Sequence, residues 1–173
     1  VSSAASDVYK RQDPEIATLL AHYKGNLSFN GLTALEPDVA SRLASHGLGL
    51  SFEGLTAISP ETADALVPHA GMLFLDGLVA VPVDVARSLA RYEGVMLSLG
   101  RLQDLPDNVA AALAGYRGVL SLTGVRTLSE ASARLLAARS ARVVLTGLTT
   151  VAPATEAVLR GSAMVELGSP HRA

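Results

Sequence analysis

Apolar and small residues recur along the chain in a phrase that returns about every 23 positions. Residues 27–34 read LSFNGLTA, and residues 50–57 read LSFEGLTA. Related phrases begin at five further positions, which are Leu73, Leu97, Leu120, Val143 and, as a half-phrase, Val165. The successive offsets are 23, 23, 24, 23, 23 and 22 residues. Spacing this regular indicates an internal repeat, and a period in this range is typical of solenoids and other repeat proteins.

The first half of each unit predicts a strand and the second half predicts a helix. The opening triplet alternates an apolar, a small and an apolar residue, as at Leu27 and Phe29, which is the period of a half-buried strand. Two further apolar columns follow at a spacing of three, beginning at Leu32 and Leu35. A helix start comes next, and its clearest form is Ser59-Pro60-Glu61, with an N-cap, a first-turn proline and an acidic residue.

The predicted helices have two or three turns and carry a narrow stripe of alanine and leucine. In the first full unit this stripe contains Ala40, Leu43 and Ala44. Most of the helices are expected to stop at a glycine, as helix C-termini commonly do. These predicted stop positions are Gly25, Gly47, Gly71, Gly94 and Gly118.

One unit contains too few apolar residues to bury a face by itself. Stacking the units in register places equivalent leucines over one another, with parallel strands on one side and helices on the other. The alanines let each helix lie close to the sheet, which explains an aromatic content of only 4%. The sequence therefore predicts an α/β solenoid of about six coils of 22–24 residues.

The two ends of the chain differ from the repeat. Residues 1–12 do not carry it and resemble the translation of a sequencing-library adapter, so we expect a non-native leader at 1–12, a solenoid at 13–168 and a frayed end at 169–173. Only half-units stand at either end, without the polar caps that repeat arrays need, which predicts a fragment of a longer protein. One lysine against eleven arginines beyond the leader suggests a bacterial gene of high GC content.

The pattern Leu-x-Leu-x-x-Leu-x-x-Leu, followed by a capped helix with Ala-x-x-Leu-Ala, resembles leucine-rich repeats. The resemblance covers residues 13–168 and is closest to the cysteine-containing subclass. It implies a leucine-rich-repeat solenoid that binds a protein through the concave face of its sheet. The units are shorter than in that subclass, and leucine or valine replaces its Asn or Cys, so no side-chain ladder is expected to satisfy the loop backbone there. The replaced column comprises Leu32, Leu55, Leu78, Leu102, Val125 and Leu148.

Composition narrows the range of functions. A net charge of −2, or −3 without the leader, offers no basic surface for nucleic acid. The chain has no cysteine, which excludes disulfides and thiolate metal sites, and no apolar run reaches the roughly 18 residues of a membrane helix. Hydrolase, metalloprotease and phosphate-loop motifs are absent, and glycines such as Gly31 and Gly54 are single and periodic. We therefore expect neither an enzyme nor a cofactor or metal site.

One polar or aromatic residue stands near each predicted helix C-terminus. Two interpretations remain open for this column. It could form a stripe on one rim, with His46 and His69 about 5 Å apart as a metal pair. It could instead be structural, because His and Arg favour the negative end of a helix and Tyr covers the turn. The column comprises Tyr23, His46, His69, Tyr92, Tyr116 and Arg139.

The solvent face of the predicted sheet is mostly small and rich in serine, with one exception. Met72, Phe74 and Met96 are expected side by side on neighbouring strands, and the charged residues Glu53, Asp76 and Arg101 lie near them. This cluster is either a contact patch or tolerated variation, since an exposed apolar cluster can mark a binding site. The contact patch predicts a non-catalytic scaffold for a protein partner. The alternative is a passive spacer in a larger secreted or surface protein.

Overall fold

The computed structural model describes residues 14–168, in which seven helices and seven strands alternate. The predicted leader at 1–12 and the predicted frayed end at 169–173 lie outside the described residues. The helices are α1 (Pro14–Ala21), α2 (Pro37–Leu43), α3 (Pro60–Leu66), α4 (Val83–Ala90), α5 (Asp107–Leu113), α6 (Glu130–Ala137) and α7 (Pro153–Arg160). The strands are β1 (Leu27–Ser28), β2 (Leu50–Ser51), β3 (Met72–Phe74), β4 (Met96–Ser98), β5 (Val119–Ser121), β6 (Val143–Leu145) and β7 (Val165–Leu167).

All seven strands form one parallel sheet in chain order. Leu50 pairs with Leu73, and Leu73 pairs with Leu97, so equivalent positions of successive units are direct neighbours. Each strand is joined to the next by a helix, which is the connection that parallel pairing requires. The predicted α/β solenoid is confirmed.

The core is one continuous cluster that runs the length of the stack. Leucines at the centre of the strands, such as Leu73 and Leu97, are fully buried, and so are the stripe alanines such as Ala86. Burying each leucine stabilises the fold by about 1.5–3 kcal/mol. A repeated core of this kind explains why the fold needs few aromatic rings, since alanine brings each helix close to the leucine columns.

The N-terminal ends of the helices follow the predicted signals. Ser59 accepts a hydrogen bond from the Thr62 backbone N–H at 3.1 Å, and Ser129 accepts one from Ser132 at 3.0 Å. Each bond satisfies one of the first backbone N–H groups, which have no partner within the helix. Strands β1 and β2 are one residue shorter than the predicted triplets, and β3, β4 and β5 begin one residue earlier than predicted. Leu75, for example, lies just beyond β3 but is fully buried.

The predicted glycine stops are wrong in their mechanism. The helices end several residues before these glycines, and no glycine within residues 14–168 has a positive φ. Close packing explains the glycine instead. A Cβ at Gly71 would lie 1.9 Å from the Leu48 carbonyl oxygen, and one at Gly118 would lie 2.2 Å from the Tyr116 hydroxyl. Successive coils thus approach too closely for a side chain at Gly71 and at Gly118, where a Cβ would also lie 2.7 Å from the Val95 carbonyl oxygen. A Cβ at Gly47 would meet nothing within 4 Å, so close packing does not explain that glycine.

Local turns satisfy the backbone N–H groups in the column in which leucine and valine replace Asn or Cys. The Leu78 N–H donates to the Leu75 carbonyl oxygen at 3.1 Å, and the Leu102 N–H donates to that of Leu99 at 3.2 Å. These side chains are free to enter the core because a tight turn satisfies their own backbone. None of the helices within residues 14–168 is long and apolar enough to cross a lipid bilayer.

Candidate interaction surface

The residues that flank the buried leucines on each strand form the face of the sheet that points away from the helices. Successive side chains of a strand point to opposite sides, so Met72 and Phe74 share this open face while Leu73 enters the core. Neighbouring strands lie about 4.8 Å apart, which brings equivalent residues of adjacent coils into contact range. The register therefore determines which side chains of this open face are neighbours.

Three of the predicted site residues are brought together in this register. Met72 pairs directly with Met96 across β3 and β4, and Phe74 pairs with Ser98. All three apolar side chains are half-buried. We define the open-face patch as Met72, Phe74 and Met96. On the preceding coil, the small residues Ser51 and Gly49 lie beside Phe74 and Met72. The apolar side chains of the patch therefore project further from the sheet than their neighbours on that coil do.

Val119 and Val144 extend the apolar surface toward the C-terminal coils. Val119 pairs with Met96 across β4 and β5, and Val144 on β6 occupies the position of Phe74 three strands further on. Both side chains are half-buried. The sequence analysis did not include them among the site residues. The signal that could have found them is the alternation itself, since Val144 is apolar where four other coils have serine, and Val119 continues the column of Met72 and Met96.

Asp76 is engaged in the stacking of two coils. Its Oδ1 accepts a hydrogen bond of 2.6 Å from the Ser98 hydroxyl and another of 2.6 Å from the Gly100 backbone N–H. The two donors lie on the following coil, so the carboxylate joins the ends of β3 and β4. A Cβ at position 100 would lie 2.8 Å from this oxygen, which explains the glycine. Only the other carboxylate oxygen, Oδ2, remains for a partner.

Glu53 and Arg101 are exposed on the loops that follow β2 and β4. Neither side chain takes part in an ion pair within the described part of the chain. Glu53 stands on the same column as Asp76, one coil earlier. The two carboxylates thus give this side of the patch a negative character, and Arg101 places one positive charge beside Gly100.

The column at the helix C-termini is buried, with the single exposed member at the first coil. His69, Tyr92 and Tyr116 stack in sequence, with ring centroids 6.0 Å and 5.7 Å apart. The Arg139 guanidinium lies over the Tyr116 ring at 5.7 Å. We call this stack the buried ladder and define it as His46, His69, Tyr92, Tyr116 and Arg139, all nearly inaccessible to solvent.

The buried ladder binds the backbone of the preceding coil. The Tyr92 hydroxyl donates to the Gly71 carbonyl oxygen at 2.8 Å, and the Tyr116 hydroxyl donates to that of Gly94 at 2.8 Å. Arg139 donates to the carbonyl oxygens of Tyr116 and Gly118 at 2.5 and 2.9 Å. These carbonyls lie in connections between helix and strand, where a regular ladder of backbone bonds is missing. The Gly71 carbonyl oxygen also accepts from the Val95 N–H at 3.0 Å, whereas the other carbonyls have only these side chains as donors within the described residues.

Burial decides the protonation behaviour of the ladder. Desolvation raises the pKa of the Tyr92 and Tyr116 hydroxyls above their ordinary value, so both remain donors at neutral pH. Desolvation likewise lowers the pKa of His69, which favours its neutral ring. His69 Nδ1 and His46 Nε2 are buried without a hydrogen-bond partner in the described structure. The two rings are therefore accommodated mainly by packing.

The structure favours the structural interpretation of this column over a surface stripe. His46 Nδ1 lies 3.3 Å from the Ala21 carbonyl oxygen, and His69 Nε2 lies 3.4 Å from that of Met72. Both rings are thus occupied with backbone of their own fold. No cluster of three or more His, Cys, Asp or Glu side chains suited to a metal ion occurs in residues 14–168.

A groove of about 800 Å³ lies on the rim between α4 and α5, near the start of β4. Arg91, Glu93, Val95 and Arg117 contribute to its walls, and Arg91 is paired with Asp64. The groove coincides with the 24-residue unit, in which Val95 stands as an extra exposed residue between Gly94 and Met96. The longer spacing was visible in the sequence, but it did not reveal that the extra residue opens a groove.

No known protein-family model matches this sequence, and no curated protein is significantly similar to it.

Proposed function

We propose that this chain is a non-catalytic interaction module of the leucine-rich-repeat type, which binds a protein partner through the open-face patch. The observation that carries the proposal is the contiguity of Met72, Phe74 and Met96 on a face that, apart from Val119 and Val144, is mostly small and polar. When a partner covers half-buried apolar side chains in one patch, their apolar surface is removed from water, which favours binding. The bacterial origin and the family membership belong to the same proposal and rest on the residue pattern.

The chemistry of the patch suits an adaptable contact. Methionine is flexible and polarisable, and phenylalanine offers a large area at a low cost in conformational entropy. Small residues on β2, such as Ser51 and Gly49, leave room for a partner to approach the Phe74 ring from one side. The patch is therefore suited to receive an apolar side chain of a partner against the β3 and β4 strands.

Charge supports a partner with a basic region. Glu53 is exposed, and Asp76 retains one carboxylate oxygen that makes no hydrogen bond within the described residues. Complementary charge at the rim of an interface raises the association rate more than the affinity. Arg101 lies at the other side of Asp76 and restricts the negative region to the β2–β3 side of the patch.

Replacing Phe74 with serine tests the proposal, because serine occupies this position on β1, β2, β4 and β5. Proteins captured on wild type would be compared with those captured on Phe74→Ser and on Val79→Ser. Val79 is an exposed apolar residue on a loop outside the sheet, so it controls for the loss of any exposed apolar surface. We expect Val79→Ser to retain the wild-type partner and Phe74→Ser to weaken its binding at least tenfold, or about 1.4 kcal/mol.

The affinity of each captured partner would then be measured by calorimetry with purified proteins. Equal affinity for wild type and Phe74→Ser would contradict the open-face patch as the binding site. If no protein binds wild type above the level of both variants, the passive spacer becomes the better account.

A further inference from the structure

The buried ladder contacts the open-face patch through His69. This residue follows α3, and Met72, which begins β3, comes three residues later. The His69 Nε2 lies 3.4 Å from the Met72 carbonyl oxygen, so the imidazole ring of a ladder residue contacts the backbone that leads into the patch. A change in the state of this ring therefore acts on the backbone that positions Met72.

The His69 ring is tightly enclosed. It is fully buried, it stacks on the Tyr92 ring of the next coil with centroids 6.0 Å apart, and a Cβ at Gly71 would lie 3.0 Å from its Cε1 atom. Its Nδ1 atom is buried without a hydrogen-bond partner in the described structure. Water therefore reaches the ring only when the connection between α3 and β3 moves away from its neighbours.

The titratable groups around the ring supply no counter-ion. His46 faces it from the coil before, and Tyr92 faces it from the coil after. Arg91 and Glu93 flank Tyr92 in the sequence, but both are exposed. No carboxylate forms an ion pair with a histidine within residues 14–168. A proton on the ring would therefore be a buried charge without a partner of opposite sign, which is costly.

Desolvation decides which state of the ring the closed site prefers. It lowers the pKa of His69, and it outweighs the carbonyl oxygens of Met72, Ala44 and His46, which favour a proton. An opened, hydrated site would let the ring take up a proton with the ordinary pKa of about 6.5. The stability of the closed site is therefore present above about pH 6.5 and is lost as the pH falls below that value, so acid favours opening.

We propose that His69 forms an acid-sensitive contact, whose loss at mildly acidic pH opens the connection between α3 and β3 and loosens the open-face patch. The opening is local, because each coil of a solenoid contacts only its neighbours. The ladder continues with Tyr92, Tyr116 and Arg139, and tyrosine and arginine, unlike histidine, do not ordinarily change charge between pH 5 and 8. Release of a partner in acid rests on the proposed function, whereas the opening itself does not.

Hydrogen exchange of the wild-type chain at about pH 7.5 and about pH 5.5, corrected for the intrinsic effect of pH on exchange, measures the opening of each coil. The protection of β3 should fall about tenfold at the lower pH, which is the limit for a ring that takes up its proton only in the open state. The protection of β5, which follows Tyr116 in the chain, should change by less than about twofold.

Three variants identify the group that takes up the proton. His69→Tyr introduces the side chain of the next two coils, and its hydroxyl should reach the Leu48 carbonyl oxygen, 21 residues back, as the Tyr92 hydroxyl reaches that of Gly71. His69→Gln removes the titration without adding a larger ring. Both variants should make the protection of β3 independent of pH. His22→Gln changes an exposed histidine and should behave as wild type does. Circular dichroism confirms that the variants are folded.

Three results would overturn the proposal. One is a fall of less than about twofold in the protection of β3 in wild type, and another is an equal fall at β3 and β5, which indicates destabilisation of the whole stack. The third is a pH effect that persists in both His69 variants, which assigns the proton to another group. Unchanged partner binding by Phe74→Ser would contradict the proposed function without altering the exchange of wild type, so the two failures are distinguishable.

Discussion

The buried ladder contains one residue per coil, the open-face patch contains three residues of two neighbouring coils, and the two are constrained very differently. Tyr92 and Tyr116 each place a hydroxyl on a backbone carbonyl of the preceding coil, and both rings are buried. Met72 and Phe74 make no such bonds and are only half-buried. The residue type at the ladder position changes among His, Tyr and Arg from coil to coil, because each of these side chains can reach a backbone carbonyl. The residue type on the open face is not restricted by such a contact. A departure from the repeat is more informative about binding on the open face than in the ladder.

The largest effect is expected in the leucine columns that support both regions. Leu78 is almost fully buried in the middle of the stack, so Leu78→Ala should lower the free energy of unfolding by about 2–5 kcal/mol through cavity formation. Leu32 occupies the same column near the first coil and is only partly buried. Leu32→Ala should cost less, because contacts in a solenoid are limited to neighbouring coils. Urea denaturation measures both, and equal losses would argue against a nearly one-dimensional stack.

Removal of one hydroxyl tests whether the ladder bonds stabilise the fold. Tyr116→Phe keeps the ring but leaves the Gly94 carbonyl oxygen without its donor, which should cost about 1–3 kcal/mol. Tyr23→Phe is the matched control, because Tyr23 belongs to the same column but is exposed. We expect the control to change the free energy of unfolding by less than about 0.5 kcal/mol. Similar changes at both positions would mean that ring packing, and not the hydrogen bond, holds the ladder.

The pH dependence of stability tests the burial of His69. Desolvation lowers its pKa in the folded state, so the unfolded chain binds the proton more readily. The stability contributed by the neutral ring is present above the ordinary pKa of about 6.5 and is lost as the pH falls below it, by at most about 1.4 kcal/mol per unit. His69→Tyr introduces the residue that Tyr92 and Tyr116 place in this column, and it removes the titration.

Urea denaturation of wild type and His69→Tyr at about pH 7.5 and about pH 5.5 measures this effect. Other titrating groups are common to both proteins, so their contributions cancel in the difference. One example is Asp107, because hydrogen bonds from Ser129 and Ser132 lower the pKa of its carboxyl group below the ordinary value. Wild type should lose more stability than the variant on acidification. A pH-independent difference between the two would show that His69 is solvated in the folded protein.

The smallest effect is expected on the open face. Phe74→Ser should lower the free energy of unfolding by about 1 kcal/mol or less, because the ring is only half-buried and makes no hydrogen bond. Its main effect should appear in partner binding. Thermal unfolding of Phe74→Ser beside Tyr116→Phe compares the two regions directly. A greater loss at Phe74 than at Tyr116 would reverse the comparison and make Phe74 a structural residue.

Most of the architecture could be predicted because it follows from the spacing of apolar residues along the chain. The columns of Leu27 and Leu32, the helix start at Ser59 and the alanines of the helix stripe each follow from spacing along the chain. The neighbours Met72 and Met96 could be predicted as well, since parallel stacking of equal units places equivalent residues side by side. The glycine stops were predicted for a wrong reason, because a glycine after a helix has the same appearance whether it adopts a left-handed conformation or permits close packing.

What the sequence by itself determined is the period, the order of strand and helix, and the identity of the core columns, since these depend on apolar spacing alone. Only the tertiary structure decided that the column of His69 and Tyr92 is buried, that Asp76 bonds to the next coil, and that Ile16, Leu19 and Tyr23 lie on an exposed end. The physical reason is that these properties arise between coils. The ladder bonds join residues 21 to 25 positions apart, and their geometry exists only once one coil lies on another.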